Sequence, residues 1–151
     1  MQVDILKTVA TDLMSIPPLV ARGIRRKLIR TTLAEIDMNI TPLHFEIMRL
    51  LEAEGALHAA QIGDRLQLAR AQITQLIDKL AEYNLVSREV DAADRRIVNI
   101  SMTDHGKTVL AEHKASIANA IRESMTGLSE DDLQTLSTSL RKVQEVLQKL
   151  D

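Results

Sequence analysis

The 151-residue sequence predicts a mainly helical protein carrying a small β-hairpin, and three observations predict it. Apolar residues recur at three- and four-residue spacing through most of the chain, the period of helices that each bury one face. Only the segment from about Val86 to Ser101 alternates in the manner of strand. Within it, two short β-rich runs, LVSREV and RIVNIS, flank the turn-forming DAADR, which is the pattern of a hairpin.

Taken in order, the elements follow from local signals. Val3, Leu6, Val9 and Leu13 form a first amphipathic stretch, and the pair Pro17 and Pro18 predicts a break before a second helical run from about Leu19 to Ile36. In NITPLHFEIMRLLEAEG, Thr41 stands as N-cap, Pro42 at the first helical position and Gly55 just past the end, so that helix is punctuated on both sides. Ile62, Leu66, Leu68, Ile73, Ile77 and Leu80 then describe two short helices joined by a turn near Gln67 to Ala69. Asn84 can take the left-handed conformation that ends the second of them before the hairpin begins. The run SMTDHGK caps and opens the next helix. In LSEDDLQTLSTSLRKVQEVLQKL, Ser129 precedes Asp131 and Asp132 at a helix start, and Leu133, Leu136, Leu140, Val143, Leu147 and Leu150 alternate spacings of three and four. Such a seven-residue seam is what one helix offers another in coiled-coil packing.

Composition limits what this fold can do. A chain of this length with 45% hydrophobic residues is sufficient for one soluble domain with its own core. The absence of cysteine removes disulfides, thiolate nucleophiles, cysteine redox sensing and thiolate zinc sites, and agrees with a cytoplasmic protein. No run of eighteen apolar residues offers a membrane span, and the N-terminus has charges where an export signal needs an apolar core. There is no G-x-S-x-G elbow, phosphate loop or H-E-x-x-H, so the chain is expected not to be an enzyme and to need no metal or other cofactor.

The two short helices and the hairpin carry the chemistry. In a helix-turn-helix, the first helix props a second whose N-terminal side chains enter the major groove of double-stranded DNA. Arg70, Gln72, Thr74 and Gln75 occupy that outward surface, and arginine can donate twice to guanine while glutamine can pair with adenine. The hairpin directly after it is a wing whose tip carries adjacent Arg95 and Arg96, suited to a minor groove or to phosphate, with Asp94 placed to hold an arginine or the turn. The bulk charge of -2 does not advertise a DNA binder. From Leu57 to Ser101, six cations (Arg65, Arg70, Lys79, Arg88, Arg95, Arg96) face six acids (Asp64, Asp78, Glu82, Glu89, Asp91, Asp94), so binding must depend on where the charges point.

The order of elements, and above all D-x-x-D-R-R followed by a strand and T-D-H-G-K, resembles the MarR family of winged helix-turn-helix transcription regulators along nearly the whole chain. The wing signature is matched at Asp91, Asp94, Arg95 and Arg96, and the helix entry at Met102, Thr103 and Gly106. The resemblance implies a single domain over 1–151, with a winged helix-turn-helix part at 41–101 and dimerisation helices at 1–36 and 104–151. It further implies a homodimer on a near-palindromic operator, Arg96 in a minor groove, Asp91 and Asp94 supporting the wing, and more often a repressor than an activator, with a small-molecule effector as the usual release. Leu6, Val9 and Leu13 are expected to join the C-terminal seam from Leu133 to Leu150 across the two-fold axis. The chain departs from the family pattern at Ala69, where members have a capping serine or threonine, and at Gly63, where they have alanine. The histidine cluster of zinc-responsive members is echoed only by His113, with Glu46, His44 and His105 near it in the pattern.

Two further features have readings of their own. The basic run ARGIRRKLIR, with Arg22, Arg25, Arg26, Lys27 and Arg30, reads as a solvated face that pairs with acids of a partner subunit or lines a cavity for an anionic ligand before it reads as a DNA contact. Met14, Met38, Met48, Met102 and Met125 read as core filling. The rival from another class is a helical dimer serving as a protein-binding adaptor, which salt-steep DNA binding would exclude.

Overall fold

The computed structural model describes the backbone of residues 1–35 and 39–150, and side chains outside 24–38. Arg25, Arg26, Lys27, Arg30 and Met38 therefore lie outside the residues whose side chains are described. The elements run α1 (Gln2–Glu35), α2 (Pro42–Glu54), β1 (Leu57–His58), α3 (Ala59–Leu66), α4 (Arg70–Glu82), β2 (Val86–Val90), β3 (Val98–Met102), α5 (Asp104–Ser124) and α6 (Glu130–Leu147), with a 3₁₀ turn at Gln148–Leu150. The chain divides into two compact units, Leu28–Ile117 and a second made of Met1–Lys27 with Ala118–Asp151.

The break expected at Pro17 and Pro18 does not occur, because α1 runs through both prolines. Proline's fixed φ is compatible with a helix; its cost is the lost hydrogen bond to the carbonyl four residues back and the crowding of that carbonyl by the ring. Here those carbonyls belong to Leu13 and Met14 on an exposed part of the helix, where water can take the place of the missing donors. The two-residue strand β1 was not anticipated, being too short to show a periodicity.

In the unit Leu28–Ile117, the core is built from Phe45, Ile47, Met48 and Leu51 of α2, Ile62 of α3, Ile73, Ile77 and Leu80 of α4, Leu57, Val86 and Ile100 of the sheet, and Val109 and Leu110 of α5. Thr41, Pro42 and Gly55 bound α2 as the sequence indicates, and the Thr41 amide donates to Nδ1 of His44 at 2.9 Å. His58 caps α3 reciprocally: its Nδ1 accepts from the Gln61 amide, while its own amide donates to Gln61 Oε1. Between α3 and α4, Gln67 adopts a left-handed conformation and the Leu68 amide returns to the Gly63 carbonyl. A Cβ at Gly63 would sit 3.1 Å from the Leu68 carbonyl oxygen, so this departure from alanine relieves a tight turn. Ala69 supplies no side-chain cap to α4.

The sheet has the order β1-β3-β2, all antiparallel, with Val86 opposite Met102, Arg88 opposite Ile100 and Val90 opposite Val98. Asn84 takes the expected left-handed conformation, turning the chain from α4 into β2. There the start of α5 locks onto the end of α4. The Thr103 amide donates to the Leu85 carbonyl, and the Thr103 hydroxyl donates to the Asn84 carbonyl at 2.6 Å and accepts from the Gly106 amide. Gly106 lies so close that any Cβ on it would collide with the Leu85 carbonyl oxygen.

In the other unit, α6 opens on Ser129, whose hydroxyl accepts from the Asp132 amide, and buries none of its residues. Leu133, Leu140, Val143 and Leu147 are exposed along it, Leu136 is partly covered, and Leu150 falls in the 3₁₀ turn beyond its end. Leu6, Val9 and Leu13 of α1 are likewise exposed. Gly106→Ala is expected to destabilise the protein by at least about 1 to 3 kcal/mol, since the new methyl meets backbone rather than a side chain that can turn away. Gly127→Ala, where a Cβ meets nothing within 4 Å, is the matched control. Equal denaturant midpoints for the two variants would refute the tight joint.

Candidate nucleic-acid interface

Helix α4 owes its orientation to Ile73, Ile77 and Leu80, which occupy one face at helical spacing and are buried. That commitment leaves Arg70, Gln72, Thr74 and Gln75 exposed. Arg70 is the first residue of the helix and has no ion-pair partner among the described residues. The Thr74 hydroxyl donates to the Arg70 carbonyl at 2.9 Å, so of the four polar side chains it is the one turned back onto its own helix.

The wing is organised by its two aspartates. Asp91 Oδ1 accepts from the amides of Ala93 and Asp94, and its Oδ2 accepts from Asn99 Nδ2 at 3.1 Å, which closes the turn onto β3. These bonds, the Ala93 amide first, favour the carboxylate and hold its pKa below the ordinary aspartate value. Asp94 takes Arg96 in a fork, with Oδ1 accepting from Nε at 3.1 Å and Oδ2 from Nη2 at 3.0 Å, while Oδ1 also accepts the Arg96 amide. The pairing lowers the Asp94 pKa and raises that of Arg96. Arg96 nevertheless remains 91% exposed, so the guanidinium is aimed rather than hidden. Arg95 beside it has no ion-pair partner among the described residues.

Four of the six acids are engaged locally, while Asp64 and Glu89 are in no ion pair among the described residues. Asp78 of α4 pairs with Arg88 of β2, Glu82 with Lys79, and Asp94 with Arg96, while Asp91 is occupied by the turn. Arg65 reaches outside the group to Glu54. Among the described residues Arg70 and Arg95 are left without an ion-pair partner, one at the start of α4 and the other at the wing tip. The Asp78–Arg88 pair, which ties the two elements together, was missed in the sequence. Its signal was the alternation of VSREV, which places Arg88 on the same side of the strand as Val86 and Val90.

His44 and His113 have structural work. His44 is buried and its pKa is lowered, by loss of water and then by Lys79. His113 stacks on Phe45 with ring centroids 3.6 Å apart, and burial followed by Arg49 lowers its pKa. His113 thus faces a ring where the zinc-responsive pattern would want carboxylate or imidazole partners. Among the described residues no group of three histidine, aspartate or glutamate side chains is arranged to hold a metal.

An exposed second helix stacked on a capped first helix, followed by a hairpin whose tip presents a carboxylate-oriented arginine, defines a winged helix-turn-helix DNA-binding protein. The model of the MarR family matches residues 40–98. The HTH-type transcriptional regulator MhqR of Bacillus subtilis is 31% identical over 104 residues, 69% of this chain and 72% of that protein. The HTH-type transcriptional repressor MdtR of the same organism is 31% identical over 83 residues, 52% of this chain and 54% of that protein. A solved MarR family protein from Bacillus stearothermophilus shares the fold with a TM-score of 0.71 at 20% identity, over 98% of this chain and 99% of that one. The chain belongs to the MarR family of transcriptional regulators.

If Asp94 acts only by aiming Arg96, the two residues behave as one unit. Arg96→Ala is expected to weaken operator binding by about 1 to 3 kcal/mol with helicity unchanged. Asp94→Asn is expected to cost less, and the double variant to bind no worse than Arg96→Ala alone. Additive losses in titrations at fixed salt would show that Asp94 contributes independently of the arginine.

Proposed function

We propose that the protein is a homodimeric repressor that binds a near-palindromic operator and is released from it by a small-molecule effector in the cytoplasm. The observation that carries the DNA reading is the sorting of charge. Asp78 and Glu82 of α4 and Asp91 and Asp94 of the wing turn are engaged by ion pairs and turn amides, whereas among the described residues Arg70 and Arg95 have no ion-pair partner and Arg96 is held outward. Arg70, Gln72 and Gln75 would then read base edges in the major groove, and Arg96 the adjoining minor groove. Repression is supported by the similarity to the transcriptional repressor MdtR, and effector release by the family resemblance. Among the described residues no helix is long and apolar enough to cross a membrane.

Dimerisation is supported by the apolar stripes of the unit formed by Met1–Lys27 and Ala118–Asp151. Leu133, Leu140, Val143 and Leu147 of α6, and Leu6, Val9 and Leu13 of α1, are exposed there. Two α4 helices about one DNA turn apart would read the two halves of a palindrome, so assembly and specific binding are coupled.

Leu140→Asp is expected to place a carboxylate in the seam at a cost of several kcal/mol, shifting dimer to monomer and abolishing selection of a two-fold-symmetric sequence from a random DNA pool. Sedimentation and pool selection on parent and variant check both halves of the reading. A parent that is monomeric at tens of micromolar, or that selects no symmetric sequence, would remove it and leave the protein-binding adaptor as the better account.

A further inference from the structure

Outside the stretches Met1–Lys27 and Ala118–Asp151, the exposed large apolar side chains among the described residues are Val90 and Val98, 56% and 39% exposed. They are partners on the last rung of the hairpin before its tip. Their placement follows from strand alternation. Val86, Arg88 and Val90 share one face of the sheet with Met102, Ile100 and Val98, and the inner end of that face is core. Helix α4 covers it as far as Arg88, which reaches Asp78, and the face then continues outward bare. The opposite face carries Ser87, Glu89, Asn99 and Ser101, with the Ser87 and Ser101 hydroxyls 3.1 Å apart.

We propose that Val90 and Val98 form an apolar footing for the wing on double-stranded DNA, packing against the deoxyribose edges beside the groove that Arg96 enters. The proposal rests on the DNA-binding reading above and adds positioning residues to it. Its support is threefold. The pair lies between Arg88 on the inner side and Arg95 and Arg96 at the tip, so cations bracket an apolar patch in the way that phosphates bracket a sugar. The other sheet face bears the acidic Glu89, which would repel a phosphate backbone, so only the valine face suits DNA. Two valine side chains are also far smaller than the roughly 800 Å² per partner that a stable protein–protein interface needs, while they match the size of a sugar or two.

Because a sugar contact displaces no counterions and reads no base, it has a distinctive signature. Val90→Thr with Val98→Thr keeps side-chain shape and strand preference but exchanges two methyls for hydroxyls. Measured on the full chain, this double variant is expected to bind both the selected operator and a random duplex of equal length roughly tenfold more weakly. The slope of log affinity against log salt should stay that of the parent, and the thermal midpoint should not move. Val90→Ile with Val98→Ile should bind at least as tightly as the parent. Affinity within twofold of the parent, a changed salt slope, a loss confined to the operator, or a lowered thermal midpoint that explains the loss would each overturn the footing. So would a weakened dimer in sedimentation, which would make the pair a contact between copies. A parent without salt-dependent duplex binding would sink the DNA reading itself, a result seen before any variant is made.

Discussion

The carbonyl of Leu85 is the point on which the geometry of the site depends. It follows directly on the left-handed Asn84, accepts the Thr103 amide, and leaves no space for a side chain at Gly106. Through that contact the end of α4, the first residues of β2 and the first turn of α5 are fastened at one place, with the Thr103 hydroxyl bridging the Asn84 carbonyl and the Gly106 amide. Val86, Ile100, Val109 and Leu110 pack into the same core as Ile73, Ile77 and Leu80, so the helix and the wing cannot shift separately without opening it. The Asp78–Arg88 pair adds a surface tie whose own contribution is small, as exposed pairs generally are.

In the proposed reading, fixing helix and wing together is what would allow a protein of net charge -2 to present a DNA-binding surface. Charge density alone would give the same number of attractive and repulsive groups in this region. Local pairing changes the pattern without changing the count: Asp94 spends both oxygens on Arg96, Asp91 spends both on the turn and Asn99, and Asp78 faces Arg88. Wing-tip carboxylates hydrogen-bonded in this way act as supports for cations and loop, and what protrudes is guanidinium.

Much of this was legible in the sequence because it rests on local rules. The capping of α2 by Thr41 and Pro42, the turn before α4, the left-handed Asn84, the hairpin and the holding of Arg96 by Asp94 all follow from residues a few positions apart. The double proline misled because the pair costs a helix two hydrogen-bond donors and ring clashes without forbidding its φ, and on the exposed α1 water can reach the freed carbonyls. Strand β1 escaped because it exists only through its pairing with Ile100 and Asn99, some forty residues away. The need for glycine at 106 is set by the carbonyl of Leu85, distant in sequence, which residue patterns do not express.

The central claim is that α4 and the wing form one surface that reads a major groove and the adjoining minor groove of the same half-site. A hydroxyl-radical footprint on the selected operator tests this most directly. The account predicts two protected patches about one helical turn apart, each with a protected minor-groove step on its outer side, and loss of those outer steps alone when Arg96 is replaced by alanine. A single patch, or outer protection that survives the Arg96→Ala change, would contradict it.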